Sequence, residues 1–334
     1  MPGGLQGVNT LSGTTQIPAY TLLNNTQGNL TATFTATAST AGGTVCPGVS
    51  STYTITVSPQ NGISVVAVDS SLCSGSNAQI TISSNTAGLT YATTVAASQG
   101  ITGAANVNGA QISQTLVNGG NTQGTVTYTV TATAPPGSSC PNQTAALPIT
   151  VEPVANVQYS LPTQSMCSGN STQLVNLSTN VAGAAITWTA TVPNGLNGMP
   201  LQGSTTIPSN PVTSNLNASA VINIVASATV NTCTGPVANG QITVFPNPTL
   251  TVSPASTTIC SGVAATSSFT SNVANTSFAW TISSNPSIGG ASNGSGATIN
   301  QVLTNNSAQV QQLTYNITTN GPGPNNGCPG QTGT

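Results

Sequence analysis

Cys260-Ser261-Gly262 opens the stretch on which the reading of this chain turns. It passes through an alternating segment, Phe278-Ala279-Trp280-Thr281-Ile282, then Ile299-Asn300-Gln301-Val302-Leu303 and Leu313-Thr314-Tyr315-Asn316-Ile317, and closes at Cys328. Two earlier copies begin at Cys73-Ser74-Gly75 and Cys167-Ser168-Gly169. One cysteine series, Cys73, Cys167 and Cys260, therefore steps by 94 and then 93 along the chain, and the other, Cys46, Cys140, Cys233 and Cys328, steps by 94, 93 and 95. Two interleaved series sharing one period mean two cysteines per repeat: Cys73 with Cys140, Cys167 with Cys233, and Cys260 with Cys328. The chain is a tandem array.

A second marker fixes the phase. Val57, Val151 and Val244 follow Cys46, Cys140 and Cys233, the second cysteine of each repeat, at one constant offset, and they end alternating segments such as Gln241-Ile242-Thr243-Val244. After one intervening residue comes Pro59, Pro153 or Pro246. The residue before a proline stays extended and is kept out of the helical region, so repeats are expected to meet through short, stiff connectors. The boundaries so placed give repeats at 60–153, 154–246 and 247–334. Residues 1–59 read as the C-terminal part of a truncated repeat, which leaves Cys46 without a partner in this sequence. The repeat at 247–334 is expected to lack its last strand, so the sequence reads as a window on a longer polypeptide, or as a subunit completed by strands of another copy in a filament.

Within each repeat the pattern has period two, the mark of half-buried strands. Ile186, Trp188, Ala190 and Val192 share one face, with Thr187, Thr189 and Thr191 on the other. Thr125-Val126-Thr127-Tyr128-Thr129-Val130-Thr131 repeats the alternation, and Thr suits strands while turning a hydroxyl to water. The 35 Gly and 22 Pro punctuate these segments with turns. The expected fold is all-β: about seven strands per repeat, folded as immunoglobulin-like two-sheet sandwiches of about 94 residues.

Composition narrows the function. The chain has no Lys, Arg or His and two acidic residues, Asp69 and Glu152, so charged residues make up 1% against about 25% in ordinary globular proteins. Nucleic-acid affinity comes mostly from Lys and Arg neutralising phosphates, and anionic lipids are recognised the same way. Neither partner is expected. No apolar run is long enough to insert into a membrane. General acid–base catalysis most often uses His, and an activated Ser needs a neighbouring base. Asp69 and Glu152 have nothing basic anywhere in the chain to tune them, so the chain is not read as an enzyme and no cofactor is expected. Calcium sites need clustered carboxylates, which are missing.

The cysteines admit three readings: metal ligands, free thiols or disulfides. Metal sites usually bring ligands close together, as Cys-x-x-Cys or with His, and neither occurs. One cysteine near each end of a unit fits one structural bridge per repeat, predicting Cys73–Cys140, Cys167–Cys233 and Cys260–Cys328. Closing such a loop would add up to ~4.4 kcal/mol per repeat in the chain-entropy account, and disulfides place the protein outside a reducing cytosol. Trp188 and Trp280, with Tyr91 at the equivalent place, sit on apolar strand faces and read as core aromatics. The rival reading makes them stacking platforms for sugars.

The pieces Cys260-Ser261-Gly262, Ser271-Asn272-Val273-Ala274, Phe278-Ala279-Trp280-Thr281, Ser292-Asn293-Gly294-Ser295-Gly296 and Gly327-Cys328-Pro329-Gly330 resemble the PKD-like, immunoglobulin-like repeats of very large Bacteroidota surface proteins, gliding-motility adhesins among them. The resemblance is weaker over 154–246, where Pro208 and Pro211 disturb the segment matching Ile299–Leu303. It implies export by type IX secretion, a place on the cell surface, and a structural stalk of an adhesin or surface filament. Its partners would be neighbouring repeats of the same chain or copies in the filament. The rival from the binding class is an array that holds surface glycans through exposed aromatic and Asn/Gln side chains.

Overall fold

The computed structural model describes residues 2–7, 16–17, 19–39, 47–60, 62–136 and 140–334. Among these every regular element is a strand. The chain divides into two compact units, residues 1–154 with 231–233, and residues 155–230 with 234–334.

The first unit holds a two-sheet sandwich. One sheet runs in the order Val107–Asn108, Thr90–Ala97, Gly124–Thr133, Gln143–Glu152, Ser71–Cys73; the other runs Ile63–Ala67, Ser76–Ser84, Gln111–Asn118, Ile101–Thr102. Its centre is the Gly124–Thr133 strand, whose Val126, Tyr128, Val130 and Ala132 have no exposed surface. Val126, Tyr128 and Val130 pack on Ala78, Ile80, Ile82, Ile112 and Leu116 of the facing sheet. Period-two alternation sends Thr125, Thr127 and Thr129 to the other face, half-buried between the flanking strands. Upstream, Leu30–Ser39 pairs antiparallel with Pro47–Val57 in a hairpin that sets Thr31, Thr33, Thr35 and Thr37 opposite Thr56, Thr54, Thr52 and Ser50.

The second unit holds two further sandwiches. In one, the large sheet runs Thr163–Cys167, Ala238–Phe245, Ala220–Val230, Ala185–Thr191, Gln202–Gly203. Its core gathers Trp188, Ile222, Ile224, Ile242 and Val244 with Val175, Leu177 and Ile207 from across the sandwich. In the other, Gly294–Ser295, Ser277–Ile282, Tyr315–Gly321 and Cys328–Gly333 form one sheet, and Thr251–Ser253, Val263–Thr270, Thr298–Asn305 and Ile288–Gly289 form its mate. Here Phe269, Phe278, Trp280, Ile299 and Ile317 make the core, with the Phe269 ring centroid 5.8 Å from Phe278 and 5.9 Å from Trp280.

Pro208 and Pro211 act as their positions suggest. The first and third sandwiches carry unbroken eight-residue strands at Gln111–Asn118 and Thr298–Asn305. The equivalent stretch of the second is cut into Thr206–Ile207 and Thr213–Ser214. A proline cannot donate to the ladder, so two of them in close succession leave only short pieces paired.

Both complete cysteine joints overturn the pairing expected inside each repeat. The structure bonds Cys73 to Cys233 and Cys167 to Cys328, each with Cα atoms 5.4 Å apart. The reason lies in strand direction. Ser71–Cys73 runs parallel to the end of Gln143–Glu152, with Cys73 opposite Glu152, while Cys140 lies just before that strand begins. Ten strand residues at about 3.3 Å each put roughly 30 Å between the two ends, and a disulfide closes only when its Cα atoms come within about 7 Å. Cys167 likewise stands opposite Phe245, at the far end of Ala238–Phe245 from Cys233. Each sandwich carries one cysteine at either pole, so neither Cys73–Cys140 nor Cys167–Cys233 can close. Cys260–Cys328 does not form either, because Cys328 is taken by Cys167; Cys260 is an exposed thiol. Cys46 lies outside the described residues.

Candidate functional site: the cysteine joints

Each joint has a turn and a hairpin tip. The turn is the recurring Cys-Ser-Gly. Gly75, Gly169 and Gly262 all adopt φ between 86° and 89°, a left-handed conformation that a side chain would strain. Held there, each glycine N–H donates to a carbonyl of the neighbouring sheet, Leu116 at 2.7 Å, Val212 at 2.8 Å and Leu303 at 2.8 Å. The serine before it accepts at Oγ from a backbone N–H: Asn118 at 2.9 Å on Ser74, Ser214 at 2.8 Å on Ser168, and Asn305 at 3.0 Å on Ser261. Ser and Gly therefore pin the turn to the facing sheet from both sides, which fixes where the cysteine points.

The tip carries the second cysteine. Cys233 follows Asn231, at φ 51°, and Cys328 follows Asn325, Asn326 and Gly327, at φ 53°, 71° and 110°. Asn tolerates the left-handed region better than other side-chain-bearing residues, and it lets these hairpins turn tightly enough to leave the sulfur at the tip. In the second unit the bridge is sealed. Cys167 is 6% exposed and Cys328 is 0% exposed. A Cβ on Gly323 would come within 2.4 Å of the Cys328 sulfur and 3.5 Å of that of Cys167, so only glycine fits there. Amides fasten the surroundings: Asn247 Nδ2 donates to the Ser168 carbonyl at 3.1 Å, and Asn272 Nδ2 to Asn217 Oδ1 at 2.8 Å.

The first unit uses a carboxylate in the same place. Glu152 stands opposite Cys73, where the second sandwich has Phe245 opposite Cys167. Its side chain is 1% exposed, and its Oε1 accepts from Gln123 Nε2 at 2.5 Å and from Asn231 Nδ2 at 2.6 Å, the latter just ahead of the bridged Cys233. A buried carboxylate without a cation needs several good donors, and two amides supply them. Asp69, by contrast, is exposed.

The aromatics expected in the core are placed as follows. Trp188 is 2% exposed and donates its indole N–H to the Thr206 carbonyl at 2.9 Å; Trp280 is 7% exposed and donates to the Ser292 carbonyl at 3.2 Å. Tyr91 is half-buried at the edge of its core. Sequence reading missed a pair that the repeats share: the Tyr128 hydroxyl donates to Gln114 Oε1 at 3.0 Å, and Tyr315 to Gln301 Oε1 at 2.8 Å. One period beyond the first pair, the second sandwich has Ile222 and Pro208, so both members change together. Burial raises the pKa of Tyr128, Tyr159 and Tyr315. Among the described residues no cluster of three metal-ligating side chains occurs, and no helix is long and apolar enough to cross a membrane.

The family of PKD-like domains matches residues 70–155 and 257–334. No curated protein matches the sequence. Among solved structures, mouse cadherin-23 EC22-24 is 13% identical with a TM-score of 0.36, covering 78% of this chain and 95% of that one. The extracellular cadherin domains 3-6 of protocadherin gamma B2 are 12% identical with a TM-score of 0.30, over 91% and 81%. The Escherichia coli adhesin FdeC is 13% identical with a TM-score of 0.32, over 81% and 96%. The chain is an all-β tandem array of immunoglobulin-like sandwich repeats, PKD-like over the two matched stretches.

Proposed function

We propose that this chain is the structural stalk of an extracellular adhesin or surface filament on a bacterial cell. One observation carries the reading: successive repeats are covalently tied, the first cysteine of one to the second cysteine of the next. A bridge inside a domain stabilises that domain, whereas a bridge from one repeat to the next resists their separation. Such bonds persist in oxidising surroundings and are rare in a reducing cytosol. A chain with one exposed carboxylate, Asp69, one buried, Glu152, and no cation has almost no electrostatic attraction for salt to screen, and it offers trypsin no Lys or Arg at which to cut. The resemblance to gliding-motility adhesins extends the proposal to type IX export in a Bacteroidota cell. A glycan-holding role gains nothing from Trp188 and Trp280, since both rings are buried.

The test is where the protein sits and what its length does. Antibodies against the chain should label intact cells that make it, and deletion of one repeat period should shorten the surface structure without abolishing it. Labelling only after permeabilisation would overturn the proposal.

A further inference from the structure

We infer that the two bridges form a redundant load path, in which either one alone holds a pulled chain almost as short as both together. The observation is their order along the sequence. Cys167 lies inside the loop closed by Cys73–Cys233, and Cys233 lies inside the loop closed by Cys167–Cys328. The loops overlap; they do not follow one another.

The consequence comes from connectivity alone. Along the backbone Cys73 and Cys328 have a separation of 255 (328 minus 73). With both bridges closed, the shortest covalent route crosses from Cys73 to Cys233, runs backward to Cys167 and crosses to Cys328. Its backbone part has a separation of only 66 (233 minus 167). Without the first bridge, the route runs from Cys73 to Cys167, a separation of 94 (167 minus 73), and crosses the second. Without the second, it crosses the first and runs from Cys233 to Cys328, a separation of 95 (328 minus 233). Losing one bridge therefore lengthens the route by 28 (94 minus 66) or by 29 (95 minus 66). Losing the other then adds 161 (255 minus 94) or 160 (255 minus 95). Bridges closed inside single repeats would behave differently. Each would hide its own loop, 73–140, 167–233 or 260–328, independently of the rest.

For an array under tension this arrangement has a use. A single reductive accident anywhere along it lengthens the chain by only about 100 Å, at roughly 3.5 Å per extended residue, and leaves the second bridge bearing load. The inference rests on the stalk reading for its purpose but not for its test.

The experiment is force-clamp extension of the full chain between handles fused to its two ends, with every cysteine outside the two bridges blocked by alkylation. After complete unfolding, dithiothreitol is added. One thiolate attacks a bridge sulfur, the bridge opens as a mixed disulfide, and the reagent's second thiol closes to the cyclic disulfide, leaving two protein thiols. Two steps are expected, the first about 100 Å and the second about 560 Å. The second should be between five and six times the first, whichever bridge opens first. The Cys73→Ser, Cys233→Ser double variant should show the large step alone. Equal steps, or a large step before a small one, would overturn the redundant path while leaving surface placement to its own test.

Discussion

Cys167 and Cys328 are 161 residues apart in sequence and bonded, whereas Cys167 and Cys233, much nearer in sequence, stand at opposite ends of one sandwich. Direction along the strands, not distance along the chain, selects the partner. Peptide mapping without reduction should therefore recover Cys73 linked to Cys233 and Cys167 linked to Cys328, with Cys260 as a thiol that modifies readily in the folded protein. The digest needs chymotrypsin or thermolysin, because trypsin has no site. Recovery of Cys167–Cys233 would refute the joint.

Gly203 and Gly294 lie flat against the two indoles: a Cβ there would sit 2.7 Å from Trp188 and 2.5 Å from Trp280 ring atoms. Neither ring can retreat without surrendering its N–H bond to the Thr206 or Ser292 carbonyl. Gly203→Val and Gly294→Val should each cost about 1–3 kcal/mol, the usual range for overpacking a filled core. Denaturant midpoints followed by tryptophan emission check this. An unchanged midpoint for both variants would mean the indoles are less tightly held than described.

Much of the fold was legible because strands announce themselves at short range. Val126, Tyr128, Val130 and Ala132 alternate with threonines, and the structure buries all four completely. Pro208 and Pro211 marked the broken strand of the second sandwich. The cysteine period exposed the repeat but led to the wrong pairing, one bridge inside each repeat, since spacing says nothing about which pole of a sandwich a residue occupies. That needed the parallel register of Cys73 with Glu152. Glu152 itself read as one of two isolated carboxylates. Its donors, Gln123 and Asn231, lie 29 and 79 residues away, beyond any local pattern. The Tyr128–Gln114 pair was visible in principle, as two positions that change together between repeats of one sequence.

The Glu152 carboxylate should matter to the first joint more than its rarity suggests. Glu152→Ala would remove the acceptor that the Gln123 and Asn231 amides share beside a bridge; both residues are exposed, so water can take its place in part, and the cost should be that of an ordinary hydrogen bond, about 0.5–1.5 kcal/mol. Glu152→Gln keeps the shape and one acceptor and should cost less. Urea midpoints of the two variants rank the effect. Equal midpoints for wild type and Glu152→Ala would show that the amides find other acceptors at no cost.

The pH dependence should be set by tyrosine at the alkaline end. Burial raises the pKa of Tyr128, Tyr159 and Tyr315 above the ordinary value of 10.0. Each buried hydroxyl is also a donor, Tyr128 and Tyr315 to glutamine oxygens and Tyr159 to the Ala238 carbonyl at 3.2 Å. Ionisation would end that donation. A group whose folded pKa lies above its unfolded pKa binds its proton more tightly in the native state, so its contribution is fully present below the unfolded value. It is lost as pH rises through the folded one. Stability should therefore hold up to about pH 10 and fall above it, as the unfolded chain releases tyrosine protons that the folded chain retains. Tyr128→Phe with Tyr315→Phe should flatten part of that fall while lowering stability at neutral pH, because Gln114 and Gln301 each lose one donor and keep only a backbone N–H, from Ala105 and Ser292. Thermal midpoints measured from neutral to strongly alkaline pH, read beside tyrosinate absorbance, separate the two effects. A wild-type midpoint that stayed level across that whole range would remove tyrosine from the account.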